Sequence, residues 1–306
     1  MKIMNTLSAL AVVALGALSA ATLPALAEDM KVLRIGILGG ENEADRLRNW
    51  KCAQDQLAKS TGMEVKLFPA ADYDGVIQGL LGGTIDYADL GASGYVKILL
   101  KDPKAVDAIL TQKQADGSLG YYSLMVARKD SGIKTVADLK GKTMAFADPD
   151  STSGYLIPLT QLPKAVGGEL KGFFKDTPFA GGHEQVVQGV LDKKFDAGTT
   201  FGSGTGDEAK GYSSGQLNKM VTKGTLNMKD ISVIWKSDLI PNGPSVVRSA
   251  LAPELKAKIK DYLMNLNTTD AACLKAIEGG DYQGMVDIPA NFYDGVVAAR
   301  KAKIGG

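Results

Sequence analysis

The sequence predicts an α/β protein built from two lobes with a hinged cleft between them. Three observations support this prediction. Strand and helix patterns alternate along the chain, one helix–strand unit occurs twice at a spacing of 110 residues, and an apolar strand pattern flanks the second copy on each side. Such alternation is typical of parallel sheets covered by helices. A repeated unit indicates two related lobes.

The first 27 residues have the pattern of a secretory signal peptide. Lys2 gives a short positive start, an uncharged apolar run follows, and residues 25–27 have the small-x-small form of a cleavage site. A membrane anchor is the alternative, but the run is short and no basic residues stop it. We therefore expect cleavage near Ala27 and an exported mature chain.

Charge and cysteine content exclude several classes of protein. Removal of Lys2 leaves 34 Lys and Arg against 34 Asp and Glu, and a net charge near zero argues against nucleic acid or an anionic membrane as partner. The chain has no CxxC pair, no HExxH and one histidine, so we expect no zinc site and no cofactor. For Cys52 and Cys273, a disulfide and two buried thiols both remain open.

The mature chain opens with a β-α-β pattern. The segment "KVLRIGILGG" is a buried strand that runs into a glycine turn, "EADRLRNWKCAQDQLAKSTG" has helical spacing, and "MEVKLFPA" is the next strand. This order predicts neighbouring parallel strands.

The repeated unit begins at Tyr73 in its first copy and at His183 in its second. Each copy is an amphipathic helix, a turn and a strand that opens with "IDYA" or "FDAG". Tyr73 and His183 are therefore equivalent positions, each at the start of its helix. The matched pairs are Val76 with Val186, Ile77 with Val187, Gln78 with Gln188, Gly79 with Gly189, Leu81 with Leu191 and Asp86 with Asp196.

Two further strand patterns mark where the chain crosses between the lobes. They lie in residues 117–133 and 228–251. Two crossing strands form a hinge, and a cleft between hinged lobes is the default ligand site. We expect one lobe from residues 28–125 and 239–306, and the other from residues 126–238.

Three hydroxyl side chains and a glycine occur together in "DPDSTSGYLIP". Ser151, Thr152, Ser153 and Gly154 lie between a strand pattern and a helix start, where a single Ser or Thr would cap the helix. In parallel α/β lobes such helix starts face the crevice, and their N–H groups and partial positive charge suit an anion. We interpret the four residues as an oxyanion cradle. A capped helix with solvated hydroxyls is the alternative.

His183 and two tyrosines are further candidates for ligand binding. His183 follows two glycines at a helix start. Its imidazole can donate to an anion, and a positive charge would strengthen that bond, although a structural hydrogen bond is the alternative. Tyr73 and Tyr95 are candidate phenol donors from the first lobe. We interpret Tyr121 and Tyr122 as packing residues, because adjacent strand residues point to opposite faces.

Four segments resemble the periplasmic phosphonate-binding components of ABC importers. They are "ADGSLGYYSLMVARKDSGI", "DPDSTSGYLIP", "AGGHEQVVQGVLDKKFDAGTT" and "VIWKSDLIPNGPSVVR", and the similarity extends from about Leu33 to Leu266. The resemblance implies the type II periplasmic binding fold and a periplasmic location. It also implies a monomer that captures a phosphonate, phosphite or phosphate for a permease in the inner membrane.

The resemblance also implies roles for individual residues. It places the phosphonate group against Ser151, Thr152, Ser153 and His183, with Tyr73 reaching it from the opposite lobe.

The chain departs from members that bind aminoethylphosphonate. Those members place a tyrosine at the position of Leu90, and they place acidic residues that hold the ligand's ammonium at the positions of Ser203 and Gly243. Asp207 and Glu208 could substitute after a loop shift, although solvated side chains are the more ordinary interpretation. We therefore expect aminoethylphosphonate to bind no better than phosphite or methylphosphonate.

Two other functions use the same residues. An exported hydrolase could use Ser151 or Ser153 with His183, but the chain has no GxSxG elbow and Glu184, adjacent to His183, diverges from it on a helix. We expect no enzyme. A ligand-loaded partner of a membrane sensor is the other alternative.

Overall fold

The computed structural model describes residues 30–305. The predicted signal peptide, residues 1–27, lies outside them. No helix of the described chain combines the length and the apolar character needed to cross a membrane.

The strands fall into two sheets, which we number in chain order. Their bounds are β1 (Val32–Ile37), β2 (Glu64–Pro69), β3 (Tyr87–Asp89), β4 (Val106–Gln114), β5 (Gly120–Arg128), β6 (Met144–Ala145), β7 (Ala197–Gly202), β8 (Ile231–Lys236), β9 (Ile240–Pro241), β10 (Pro244–Arg248) and β11 (Tyr282–Val286).

Helices cover both sheets. Their bounds are α1 (Glu43–Thr61), α2 (Tyr73–Gly82), α3 (Ala92–Lys101), α4 (Ile157–Val166), α5 (His183–Leu191), α6 (Gln216–Lys223), α7 (Pro253–Thr269), α8 (Ala271–Glu278) and α9 (Asp294–Gly305), and a π-helical turn, Thr152–Leu156, leads into α4.

The first sheet has the strand order β11-β4-β10-β3-β1-β2. As predicted, β1 pairs in parallel with β2, and it also pairs in parallel with β3. Leu33 and Ile35 pack with α1, α7 and α8 on one face, whereas Ala88 and Val246 pack with α2 and α3 on the other. A sheet covered on both faces confirms the predicted α/β class.

The second sheet has the strand order β6-β7-β5-β8. β5 pairs with β7 from Tyr122 to Ala127, and its first two residues pair with β9. The chain has therefore left the first sheet before residue 120, and the expected crossing at residue 125 falls inside β5. The crossing lies earlier in the chain than expected. The apolar strand that we expected to cross between the lobes is β5, and it pairs with β7, β8 and β9 of the second lobe. The return lies between β8 and β10.

The two copies of the repeat have the same local structure. α2 begins at Tyr73 and α5 begins at His183, as the alignment predicts. Asp86 accepts a hydrogen bond from the Arg34 N–H (3.0 Å), and Asp196 accepts one from the Thr143 N–H (2.9 Å). Each carboxylate thus binds a backbone N–H of its own lobe, within β1 for Asp86 and directly before β6 for Asp196.

Cys52 and Cys273 form a disulfide that joins α1 to α8. Their Cα atoms are 5.8 Å apart and 221 residues separate them in sequence. Of the two alternatives left open by the sequence, the structure shows the bridge. It ties together two helices that line one wall of the interlobe cleft.

Candidate anion-binding site

A cavity of about 210 Å³ lies between the two lobes. Tyr73 and Leu90 line it from the first lobe, and Ser151, Ser153 and His183 line it from the second. Most of the residues predicted to bind the ligand therefore meet in one place.

The predicted cradle is an N-cap followed by the π-helical turn. Ser151 caps the turn, because its Oγ accepts a hydrogen bond from the Gly154 N–H (2.9 Å). Carbonyl groups of the turn are held from the sheet behind it: Ser123 donates to the Ser153 carbonyl (2.6 Å), and Thr199 donates to the Gly154 carbonyl (2.8 Å). With these carbonyls directed at the sheet, the cavity receives the hydroxyl groups of the turn.

Gly154 supports the cradle from behind. It is not among the cavity-lining residues, and a Cβ at this position would lie 2.4 Å from the Cβ of Ala147 and 2.8 Å from Cε1 of His183. Real Cβ atoms do not approach so closely. The expected contact between Gly154 and the ligand is thus replaced by a packing role, because only glycine lets His183 lie against the turn.

His183 is buried at 5% exposure, and its Nε2 lies 3.0 Å from the Ser151 Oγ. Burial lowers the pKa of His183 to about 4; Glu41 opposes this shift and Lys219 adds to it. The ring is therefore neutral near pH 7, and the imidazolium considered from the sequence is not favoured. Its Nδ1 is buried without a hydrogen-bond partner in the described chain.

We assign His183 the tautomer in which Nε2 accepts from the Ser151 hydroxyl. The Ser151 Oγ already accepts from Gly154, so it can donate its own proton to Nε2. That assignment leaves the ring proton on Nδ1, which is then a buried donor with nothing to donate to. An anion in the cavity would accept it.

Two tyrosines add phenol groups to the cradle. Burial raises the pKa of Tyr73, and Asp148 raises it further, while the Ser151 hydroxyl lowers it by hydrogen bonding. Burial likewise raises the pKa of Tyr121, opposed by hydrogen bonds to Ser153 and Thr152. Both phenols stay protonated and are donors. The interpretation of Tyr121 as a packing residue is wrong, because it is the member of the Tyr121–Tyr122 pair that lines the cavity.

Tyr95 does not take part in the site. It is not among the cavity-lining residues, and its ring packs edge-on against Tyr293 at a centroid distance of 5.2 Å. The position of Tyr95 on α3 explains why it does not line the cavity as expected. Tyr95 lies one turn beyond the helix start, whereas Gly91 at the N-cap is the residue that reaches the cavity.

Charged side chains that sequence reasoning missed also line the cavity. Arg46 donates to the carbonyl groups of Leu38 (2.8 Å) and Ala70 (3.1 Å), so it holds the ends of β1 and β2. Lys219 pairs with Glu41 at 2.9 Å. Burial acts to raise the pKa of Glu41, but Lys219 outweighs it and the net pKa is lowered.

Asp89 and Glu278 are two further carboxylates at the cavity wall. Burial raises the pKa of both, and Asp89 adds to the shift of Glu278. A signal for Asp89 was present in the sequence, since it ends a strand of the first repeat and strand ends face the crevice. Asp207 and Glu208, considered as substitutes for the missing acids, are exposed and do not line the cavity.

The lobes are closed on each other beside the cradle. The Ser93 N–H on α3 donates to the Thr152 Oγ1 (2.8 Å). Asp150, next to the cradle, pairs with Lys97 of α3 and with Arg300 of α9, each at 2.7 Å. Arg300 also donates to the Ser93 hydroxyl (2.6 Å). These contacts hold the second lobe against two helices of the first.

A second set of interlobe contacts lies near His183. The Asn42 N–H donates to Glu184 (3.0 Å), and Lys223 pairs with Asp45 (2.6 Å). Gly182 packs against Gly40 so closely that a Cβ on Gly182 would lie 2.2 Å from the Gly40 Cα. The backbone of both lobes thus meets directly at this rim of the cavity.

Comparison with known proteins identifies the family. The family model described as "ABC transporter, phosphonate, periplasmic substrate-binding protein" matches residues 35–291. A phosphonates-binding periplasmic protein of Escherichia coli (strain K12) is 31% identical over 290 residues, which cover 92% of this chain and 81% of that protein. A phosphate-import protein, PhnD, of Mycolicibacterium smegmatis is 30% identical, covering 75% of this chain and 70% of that protein.

Solved structures agree on the fold. A binding-protein component of an ABC phosphonate transporter from Pseudomonas aeruginosa superposes with a TM-score of 0.76 at 26% identity, covering 90% of this chain and 87% of that one. PhnD1 from Prochlorococcus marinus, solved with methylphosphonate, has a TM-score of 0.72 at 20% identity, with coverage of 89% and 98%. The chain belongs to the family of periplasmic substrate-binding proteins of ABC phosphonate transporters. The predicted periplasmic binding fold and the class of an importer's binding component are confirmed.

Proposed function

We propose that this chain binds one small phosphorus oxyanion in the interlobe cavity and delivers it, as a monomer, to a permease in the inner membrane. The observation that carries the proposal is the buried Nδ1 of His183, which lies beside the cradle hydroxyls and has no hydrogen-bond partner among the described residues. A buried donor without a partner is costly, and a phosphonate, phosphite or phosphate oxygen would satisfy it. Ser151, Thr152, Ser153, His183 and Tyr73 are the proposed ligand contacts, to which we add Tyr121.

The names of the relatives support an oxyanion of phosphorus. The Escherichia coli relative is a phosphonates-binding protein, the Mycolicibacterium relative imports phosphate, and a Prochlorococcus relative is a probable phosphite-binding protein. These ligands share a tetrahedral phosphorus with at least two anionic or acceptor oxygens. The shared group matches a cradle made of neutral donors.

The proposal includes no catalysis. A Ser–His pair exists, since Ser151 Oγ and His183 Nε2 are 3.0 Å apart, but a nucleophilic serine needs a base held by a third group. In the described chain no carboxylate accepts from Nδ1, and a pKa of about 4 makes His183 a weak base. Binding without turnover is the expected behaviour.

Thermal unfolding of the mature protein tests the proposal. A ligand that binds only the native state adds RT ln(1 + [L]/Kd), about 2.7 kcal/mol at a hundred times Kd. We expect millimolar phosphite, methylphosphonate or phosphate to raise the Tm, and chromatography to recover the ligand unchanged. Sulfate at equal ionic strength is the control. An unchanged Tm with every phosphorus oxyanion would overturn the proposal.

A further inference from the structure

Two pairs of glycines meet across the interlobe cleft. Gly39 and Gly40 lie shortly after β1 in the first lobe, and Gly181 and Gly182 directly precede α5 in the second. A Cβ on Gly182 would lie 2.2 Å from the Cα, 2.4 Å from the carbonyl oxygen and 2.7 Å from the carbonyl carbon of Gly40. All three atoms belong to the backbone of the opposite lobe, so no side-chain rotation could relieve the overlap.

Gly40 is held in place within the first lobe. Buried Arg46 donates to the Ala70 carbonyl (3.1 Å) as well as to carbonyl groups at the end of β1, so it ties the turn after β1 to the turn after β2. A Cβ on Gly39 would lie 2.3 Å from the carbonyl oxygen of Ala71, because these two turns are already in contact. The backbone at Gly40 therefore has no room to retreat into its own lobe.

Gly182 is anchored in the second lobe in a similar way. The Gly181 N–H donates to the Ala147 carbonyl (3.0 Å), and the Gly182 carbonyl accepts from the Val186 N–H in the first turn of α5 (3.0 Å). Gly182 has φ 164° and ψ 176°, which is extended backbone that any residue can adopt. The atoms nearest to a Cβ at this position all come from Gly40. An alanine at position 182 would thus be unstrained in its own lobe and would collide only with the first.

The glycine contact lies next to the residues proposed to hold the anion. Gly182 is the N-cap of α5 and directly precedes His183, and Gly40 lines the cavity. Beside it, Glu41 of the first lobe pairs with Lys219 of the second at 2.9 Å. Long side chains can follow a change in the distance between the lobes by rotating about their bonds, whereas two anchored backbones in contact cannot. The glycine pair therefore limits how closely the lobes approach each other.

We propose that Gly182 is a positioning residue for ligand binding, because its contact with Gly40 is the steric stop of interlobe closure. The inference rests on the proposed function, in which the ligand is contacted from both lobes. A side chain at position 182 would hold the lobes apart and reduce the fraction of molecules that can reach the closed form. The apparent Kd rises in inverse proportion to that fraction, so every ligand should be weakened by the same factor. A residue that contacts the ligand would change the Kd of different ligands by different factors.

Calorimetry on Gly182→Ala with phosphite and methylphosphonate tests the stop. We expect the Kd of each ligand to rise by roughly tenfold or more, while the ratio of the two Kd values stays that of the wild type. Gly182→Val, with a larger side chain, should weaken both ligands further. Gly168→Ala is the matched control, because Gly168 also belongs to the second lobe and a Cβ on it would meet no atom within 4 Å. This control should bind both ligands like the wild type.

Small-angle X-ray scattering provides an independent measurement that includes the wild type. If the glycine pair stops closure, the radius of gyration at saturation should be the same with phosphite as with methylphosphonate, because the smaller anion cannot draw the lobes closer. Saturated Gly182→Ala should have a larger radius of gyration than the saturated wild type. A smaller radius with phosphite than with methylphosphonate in the wild type would overturn the proposal.

The outcomes separate this inference from the proposed function. Wild-type affinity in Gly182→Ala would refute the stop and leave the proposed function standing. Weakening of only one ligand would also refute it, because position 182 would then act on the ligand and not on closure. If the wild type binds neither anion, the proposed function fails and the stop with it. Thermal unfolding of ligand-free Gly182→Ala checks that the variant is folded; if it is not, scattering by the wild type decides.

Discussion

At the residue scale, the properties of Thr152 follow from two partners in different lobes. Its Oγ1 accepts from the Ser93 N–H, which leaves its own proton for Tyr121 or a ligand oxygen. Thr200 on β7 provides a contrast: it is buried, its Oγ1 has no hydrogen-bond partner within residues 30–305, and it does not line the cavity. Thr152 and Thr200 are both buried threonines, but only the hydroxyl of Thr152 lies where it can donate to a ligand in the cavity.

Thr152→Val should weaken ligand binding. The loss of a hydrogen bond to a charged group costs about 1.5–3 kcal/mol, or about ten- to a hundredfold in Kd. Calorimetry with methylphosphonate measures the effect. Thr200→Val is the matched control and should bind like the wild type. Equal Kd values for the two variants would mean that Thr152 is only a structural residue.

His183 should make folding stability depend on pH. Its pKa is about 4 in the folded protein, against 6.5 for an unperturbed histidine, so the unfolded chain takes up the proton first as pH falls. The free energy of unfolding is therefore highest above pH 6.5. It decreases as the pH falls toward 4, by at most about 3 kcal/mol from this group. Urea unfolding at several pH values should show a steeper loss in wild type than in His183→Gln. Parallel profiles would contradict the burial argument.

The residues of the cradle could be predicted from sequence because each lies at a helix start marked by local chemistry. Ser151 to Ser153 are consecutive, and the repeat aligns His183 with Tyr73. Glu278 could not be predicted, since it reaches the cavity only when α8 packs on α1. Tyr121 was missed because the sequence shows that adjacent strand residues diverge, but it does not show which of them faces the cleft.

At the element scale, the repeat shows how one pattern positions two helix starts. Gly79 and Gly189 occupy equivalent places, and a Cβ on either would lie within 2.5 Å of a side-chain atom of Ile85 or Phe195 respectively. Glycine lets each helix lie close to the turn that follows it. The hydrophobic periodicity and the repeat therefore predict α2 and α5. They do not predict which sheet β5 joins, because β5 pairs with β7 and β8, which are distant in sequence.

The disulfide should stabilise the first lobe. It closes a long loop, with 221 residues of separation between Cys52 and Cys273, and removal of a native disulfide costs roughly 2–5 kcal/mol. The double variant Cys52→Ser, Cys273→Ser should unfold at a lower denaturant concentration than the oxidised wild type. Reductant should lower the stability of the wild type and leave the variant unchanged. A wild type insensitive to reductant would contradict this expectation.

At the scale of the whole molecule, binding and closure are coupled through contacts beside the cradle. Arg300 of α9 is buried and links Ser93 of the first lobe to Asp150 of the second. Asp150, which pairs with Lys97 and Arg300 of the first lobe, directly precedes Ser151 of the cradle. The contacts that close the lobes therefore also hold the cradle in position. A ligand that contacts both lobes binds the closed arrangement more tightly than an open one, so it shifts the population toward the closed form.

Arg300→Ala should weaken binding without removing a ligand contact. The substitution lowers the population of the closed form, and the apparent Kd rises in proportion, by roughly tenfold. Arg48→Ala is the control, because Arg48 is exposed and pairs with Asp45 within α1. Calorimetry with methylphosphonate compares the two. Equal affinities would show that the Arg300 contacts do not favour the closed form.

Calorimetric titration of the mature protein with methylphosphonate, phosphite and phosphate, repeated on His183→Ala, tests directly whether the cavity is the anion site. We expect one ligand bound per chain, competition among the ligands for a single site, and at least tenfold weaker binding in the variant, because a buried donor to the anion is lost. Absence of binding by all three anions at millimolar concentration, or undiminished binding by His183→Ala, would contradict it.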